Sequence, residues 1–385
     1  MRTLRTVACV ALLVVLAACS GGSDGSARSH RAARPTTTTT VPPPATSTTA
    51  PRRFTVTGSR AGFAHGFELV RRESPADVEA DLDLMASTGA QWLRASLTWG
   101  SIELQPGVYN WTGTDRVVQG ALARGMSVVA VISSAPGWDR KPGCRTDECA
   151  PNDLAPYAAF ARVAAQRYAP LGVHAWEIWN EPNHVAFWGP QPDPVAYTDL
   201  LRQSSAAIHA VDPGATVMNG GMAPAPDRNG EISPVTFLRR VYELGGGPSM
   251  DAVAHHPYQF PDPPTSPEPS NAFLQTERLH DLMVSFGDGS KKIWGTEVGA
   301  PTRGAQSVSE ANQATWLRQY YDIWNGWAFT GPLLWYNARD TGSANRLEDS
   351  YGLVHHDRTP KPGLGAFEDM VSSSVLEPAT TVPRS

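Results

Sequence analysis

The chain has 385 residues, 41% of them apolar and 9% aromatic, enough for one large or two modest domains with a substantial core. Its formal charge of −5 is unevenly spread: residues 1–53 hold seven Arg and one Asp, and the remainder holds 25 basic and 36 acidic residues. So acidic a body argues against nucleic acid and polyanionic substrates.

At the start, Arg2 and Arg5 precede an apolar run of 12, Val7 to Ala18, too short to span a bilayer unaided. The run closes as Leu16-Ala17-Ala18-Cys19-Ser20, which resembles the bacterial lipobox. That resemblance implies a signal peptide over 1–18 and lipidation of Cys19. It also implies export to the outer face of the cell membrane, with secretion as the alternative. Residues 19–53, with Pro35 to Thr40 and Val41-Pro42-Pro43-Pro44, have nothing to bury and read as a disordered Thr/Pro-rich linker. In an exported protein, Cys144 and Cys149 read as a local disulfide pinning a loop. No further Cys or nearby His completes a zinc site, so neither metal nor cofactor is expected.

From residue 54 to 375, apolar runs alternate with amphipathic helical patterns. Ala61–Phe67 reads as the first strand, and Ser74-Pro75 opens a helix that Gly89 closes. Trp92–Trp99, Ser127–Ser133, His174–Trp179 and Thr216–Gly220 are the next four strands. Helices are expected around Asp115–Arg124, Leu154–Tyr168, Val195–Val211 and Pro234–Leu244. Asp251–His256, Lys292–Glu297 and Leu333–Tyr336 complete the strands; Ala272–Phe286, Ser309–Trp324 and Gly363–Ser373 complete the helices, leaving 376–385 as a tail. Eight β-then-α units in one stretch predict an α/β fold, a single (β/α)8 TIM barrel. An open doubly wound sheet lacks support, because no Gly-rich phosphate loop follows the first strand.

Barrels carry function at the C-terminal ends of their strands. The fourth ends in Asn180-Glu181-Pro182, and Pro182 stops the strand. Alternation puts Ala175, Glu177, Trp179 and Glu181 on one face. The seventh strand delivers a second carboxylate, Glu297. In the sixth, His256 and Tyr258 share parity with the small residues Ala252 and Ala254, so they face the mouth, while His255 faces the helices. Arg94 in the second strand is expected to be buried against Glu177. Two Glu residues across a water-poor cleft suit glycoside hydrolysis, where one protonates the leaving oxygen and the other attacks C1 or activates water. The acid then needs its pKa raised above the usual value near 4.3. Trp138 and Trp188, in loops at the rim, are candidate platforms for sugar rings.

Trp179-Asn180-Glu181-Pro182, Thr296-Glu297-Val298-Gly299, His256-x-Tyr258 and the strand-eight Trp335 together resemble the clan A glycoside hydrolases, over residues 60–372. The resemblance implies a retaining β-glycosidase with Glu181 as acid/base and Glu297 as nucleophile. It further implies Asn180 on the substrate 2-hydroxyl, Tyr258 beside the nucleophile and Trp335 under the sugar. Cellulase-like family 5 members carry a His at the end of strand three. Here Ser133-Ser134-Ala135-Pro136 stands there, closer to family 39-like enzymes. The expected partner is an extracellular polysaccharide or glycoconjugate, acted on by a monomer. A catalytically silent carbohydrate-binding or wall-attachment protein on the same barrel is the competing reading, and the presence of both Glu residues argues against it. A metal-dependent amidohydrolase would need His-x-His after the first strand, which is missing.

Overall fold

The computed structural model describes residues 60–71 and 73–375. The expected signal peptide, Cys19, the expected linker and the tail over 376–385 lie outside the described residues. Eight parallel strands close into a barrel in chain order: β1 (Ala61–Phe63), β2 (Trp92–Thr98), β3 (Ser127–Ser133), β4 (Ala175–Ile178), β5 (Thr216–Asn219), β6 (Ala252–His255), β7 (Lys292–Val298) and β8 (Thr330–Trp335). The ring is sealed by the pairing of β1 with β8, Phe63 opposite Trp335. The expected TIM barrel is therefore the fold.

Local chemistry sets the element ends. Ser74 caps the helix Pro75–Ser87 by accepting from the Asp77 N–H, and Asp193 and Ser233 cap the helices Pro194–His209 and Pro234–Glu243 in the same way. In all three, Pro occupies the first turn, where its missing N–H costs nothing. The first strand is shorter than expected, because Gly66–Arg71 turns into a helix. Gly66 makes that turn possible: an added Cβ would lie 2.3 Å from the Arg94 carbonyl oxygen.

Two apolar layers result. Inside the barrel lie Ala64, Trp92, Val129, Ala175, Met218, Ala252, Ala254, Trp294 and Leu334. The four alanines make room for Trp92 and Trp294, whose rings meet edge to face at 5.1 Å. The larger layer fills the space between strands and helices. At the rim, Cys144 and Cys149 are joined, with Cα atoms 5.8 Å apart. Gly189 donates its N–H to the Glu148 carbonyl at 3.0 Å, which fastens the cysteine loop to the segment after β4.

Candidate active site

β4 stops after Ile178 because Trp179 turns to φ 73°, and Glu181 follows at φ 46°. Such conformations are unfavourable for residues with a Cβ and persist only where the surroundings impose them. Here Tyr197 donates its hydroxyl to the Ile178 carbonyl at 2.9 Å, Trp179 N–H reaches the Ile132 carbonyl and Glu181 N–H the Gly221 carbonyl. The turn sends Trp179 out to the helical layer, against the expected alternation, and still brings Glu181 to the mouth.

Glu297 arrives by a different device. Gly295 stands opposite Leu333 and Val298 opposite Trp335, so β7 takes three steps where β8 takes two. The extra residue is a β-bulge, which resets the alternation and re-aims a side chain. Trp294 packs inside the barrel, Val298 packs outside, and Glu297 between them faces the cleft.

Arg94 organises the floor. Its Nε and Nη2 donate to Glu177 at 2.9 and 2.8 Å, Nη2 also donates to Asn180 Oδ1 at 2.8 Å, and Nη1 is bonded to Glu297 Oε1. Glu177 is completely buried and accepts from the Gly221 N–H at 2.7 Å. The expected pairing of Arg94 with Glu177 is present. The guanidinium, expected at the substrate, holds two carboxylates and Asn180 from beneath. This bond orients the Asn180 amide, with Oδ1 toward the guanidinium.

Tyr258 donates to Glu297 Oε2 at 2.7 Å, and His256 Nδ1 lies 2.8 Å from Glu181 Oε1. Both residues face the mouth as their parity required. His256, expected to touch substrate, is wholly buried and touches the acid instead. One carboxylate oxygen of Glu181 and one of Glu297 lie within 4.8 Å of each other, as each does of a His256 ring nitrogen. Gly221 permits this closeness, since an added Cβ would sit 2.1 Å from His256 Nε2.

The two acids are unequal. Burial and the charge of Glu297 push the Glu181 carboxyl well above its ordinary range. Burial also raises Glu297, but Arg94 and the Tyr258 hydroxyl oppose it. Burial and Arg94 hold His256 well below its usual value, so the imidazole beside Glu181 is neutral.

Two tryptophans need correction. Trp335, expected under the sugar, is fully buried toward the helices, where its Nε1–H donates to the Tyr351 carbonyl at 3.2 Å. Inward parity on β8 belongs to Leu334, and so to Tyr336, whose ring packs beside Tyr258 and Tyr351. Trp188 is also fully buried, wedged between Trp179 and Tyr197. Trp138 stays on the rim, 37% exposed, with its Nε1–H on the Glu103 carbonyl at 2.9 Å. His255 packs toward the helices, hydrogen-bonded to the Met222 carbonyl, as expected. Tyr336 and Glu148 escaped the sequence reading. The first was hidden by two adjacent leucines that leave the parity of β8 unreadable, and the second lies in an irregular loop.

Residues 57–331 match the family model described as Cellulase (glycosyl hydrolase family 5). The chain belongs to this family. That places it among the clan A glycoside hydrolases, as the motifs implied. Solved structures similar to this family 5 barrel include a family 39 glycoside hydrolase from the gut symbiont Bacteroides cellulosilyticus WH2, at 21% identity and a TM-score of 0.67. The alignment covers 82% of this chain and 64% of that one, so the chain spans just under two thirds of its length. A monomeric β-xylosidase from Caulobacter crescentus CB15 aligns at 20% identity and a TM-score of 0.59, covering 80% of this chain and 67% of its own. GH5_18 from Streptomyces cattleya, in complex with GlcNAc, aligns at 18% and 0.60, covering 85% and 83%. At these identities the likeness is one of fold. No curated protein matches the sequence.

Proposed function

We propose that the barrel is a retaining β-glycoside hydrolase acting on an extracellular polysaccharide or glycoconjugate. Glu297 is the nucleophile and Glu181 the acid/base. The observation that carries this reading is the approach of the two carboxylates within 4.8 Å, oxygen to oxygen. Retaining enzymes hold their carboxyl groups about 5–5.5 Å apart, whereas inverting ones leave about 6.5–9.5 Å for a water.

In the first step, Glu297 attacks C1 while Glu181 gives its proton to the glycosidic oxygen, which leaves as an alcohol. In the second, ionised Glu181 takes a proton from water, the water oxygen bonds to C1, and the bond to Glu297 breaks. The unequal surroundings support this division: the acid sits beside a neutral imidazole, the nucleophile beside a guanidinium and a phenol. Asn180 donates to the 2-hydroxyl, and Tyr336 takes the place beneath the sugar. Export and a lipid tether at Cys19 belong to the same proposal, as does a monomeric state.

The test is the anomeric configuration of the first product, read by NMR before mutarotation from a panel of glucans, mannans, xylans and galactans. Retained configuration is expected. Inverted product would exclude the mechanism, and no release of reducing sugar from any glycan would favour a silent binding protein.

A further inference from the structure

His256 has a second ring nitrogen, for which the reaction above has no use. Its Nδ1 lies 2.8 Å from Glu181 Oε1, but its Nε2 has no hydrogen-bond partner, although the side chain is fully buried. Thr296, in the bulged stretch of β7 next to Glu297, is also fully buried, and its Oγ1 is likewise without a partner. A buried polar atom left in this way is costly.

The two atoms converge on one place. A Cβ on Gly221 would lie 2.1 Å from His256 Nε2 and 2.7 Å from Thr296 Oγ1, so ring nitrogen and hydroxyl share the space that the glycine leaves free. No hydrogen bond joins them as the side chains stand. A small shift of either one, or a single bridging water, closes the gap. Each can then supply what the other lacks, because a hydroxyl donates and an unprotonated ring nitrogen accepts.

The direction of that bond follows from the charges around the ring. Held neutral by burial, Arg94 and His255, the imidazole has one proton, on Nδ1 or on Nε2. His255, beside it on β6, is itself lowered to about 4 by burial and carries no charge at neutral pH. Glu181 Oε1 and, at 3.8 Å, Glu297 Oε2 face Nδ1, while Glu177 Oε1 lies 3.9 Å from Nε2. Glu177 Oε1 already accepts from Arg94 and from the Gly221 N–H, so it makes little demand on Nε2. Glu181 makes a strong one. Once it has given up its proton it is an anion, and a bare Nδ1 lone pair at 2.8 Å would repel it. Nδ1 must then carry the hydrogen, which leaves Nε2 an acceptor in need of a donor. Thr296 is the unpartnered hydroxyl beside it.

We propose that Thr296 is a positioning residue for the acid: its hydroxyl donates to His256 Nε2 and keeps the ring proton on Nδ1, which donates to Glu181 Oε1. Oε1 is then an acceptor in both halves of the cycle, and the proton that Glu181 transfers is carried on Oε2. The ring itself gains and loses no proton. The proposal rests on the assignment of Glu181 as acid/base.

The experiment reads the ring directly, by nitrogen NMR of protein labelled at its histidine side chains, with His256→Gln identifying the resonances. In wild type, Nδ1 is expected to be protonated and Nε2 bare; a protonated Nε2 overturns the proposal. Thr296→Val keeps the shape of the side chain and removes the hydroxyl. Its ring should shift toward the form protonated on Nε2, and Thr296→Ser should restore the wild-type pattern. Kinetics on an aryl glycoside give the second readout. Thr296→Val should lower kcat/KM about five- to tenfold, the effect of one lost hydrogen bond. Its ionised Glu181 also loses a donor, so the acid holds its proton more tightly and the basic limb of kcat/KM should move to higher pH. Thr296→Ser should return both toward wild type. Unchanged ring resonances together with an unmoved basic limb in Thr296→Val overturn the proposal. Should Thr296→Val fail a thermal melt, the wild-type and Thr296→Ser spectra decide. If the wild type cleaves no aryl glycoside, the hydrolase assignment fails separately, and the ring spectra still show whether Thr296 holds the tautomer.

Discussion

Two buried clusters of acids and bases flank the mouth, and they differ in how charge is matched. Around Asp81, the cations His65, Arg339 and Arg358 each hold carboxylates directly. Burial alone would raise the Asp81 carboxyl, but His65 and Arg339 keep it below the usual range. Around Arg94, one guanidinium is shared by Glu177 and Glu297, and Glu181 is left with a neutral imidazole. Burial and the charge of Glu297 therefore raise Glu181, and Arg94 opposes them only from a distance, through charge and without a hydrogen bond. Matched charge makes a brace between the loops after β1 and β8. Unmatched charge keeps the proton on Glu181.

The largest test of this contrast lies in the two carboxylates proposed for catalysis. Glu181→Gln should lower kcat/KM about 10²–10⁴-fold on substrates with poor leaving groups. With a dinitrophenyl glycoside it should still form the glycosyl-enzyme, in a burst, and then stall for want of a base. Glu297→Gln should lose every substrate by more than that, about 10⁴-fold or beyond, which is about 5.5 kcal/mol of transition-state stabilisation. A burst in Glu297→Gln, rather than in Glu181→Gln, would reverse the two roles.

Next come the cations and their partners. Arg94→Met strands Glu177 and Glu297, and breaking a buried pair in this way costs about 3–5 kcal/mol. It should also raise Glu297 further, moving the acidic limb of the kcat/KM profile to higher pH. Asp81→Asn should cost comparable stability, because it leaves His65 and Arg339 under-partnered, without moving either limb. Denaturant melts and pH profiles of both variants decide it. If Asp81→Asn shifts a limb, the brace is not electrically separate from the site.

Much of this contrast was legible in the sequence wherever alternation was clean. Ala252 and Ala254 fix the parity of His256 and Tyr258, and the buried Arg94 calls for Glu177. Glu181 was legible for another reason: a carboxylate between Asn180 and Pro182 at a strand end has few structural uses. The reading failed where the backbone leaves its period. Trp179 turns at positive φ, the bulge after Gly295 resets β7, and Leu333-Leu334 leaves Trp335 and Tyr336 interchangeable on pattern alone. The Asp81 cluster was unreadable because its members come from the segments after β1 and β8, with Asp81 and Arg358 277 residues apart and joined only when the barrel closes.

His65 gives the brace its own pH signature. A histidine raised on folding contributes stability that is fully present below its unfolded value near 6.5 and is lost as pH rises through about 9. A difference of that size is worth about 3 kcal/mol. Wild type should therefore lose that much stability between pH 6 and pH 10 relative to His65→Gln, measured by urea melts at both pH values. Parallel behaviour of the two proteins would mean that the imidazole is neutral in the fold.

The smallest effect belongs to Glu148, which lies inside the cysteine loop and is tied through its carbonyl to Gly189. Burial, helped by the charge of Asp147, raises the Glu148 carboxyl to about 7. Its negative charge in turn helps to keep the proton on Glu181, behind the larger effects of burial and Glu297. As pH rises through 7, Glu148 ionises and makes it harder for Glu181 to lose the proton the first step requires. Glu148→Gln removes that charge, so Glu181 should titrate earlier and the basic limb of kcat/KM should move to lower pH. The acidic limb, set by Glu297, should stay where it is. The shift should be a fraction of a unit, because the charge of Glu148 ranks behind burial, Glu297 and Arg94 in its effect on Glu181. A pH profile of Glu148→Gln beside wild type reads it directly, and a basic limb that stays put or moves upward would remove Glu148 from the electrostatics of the acid.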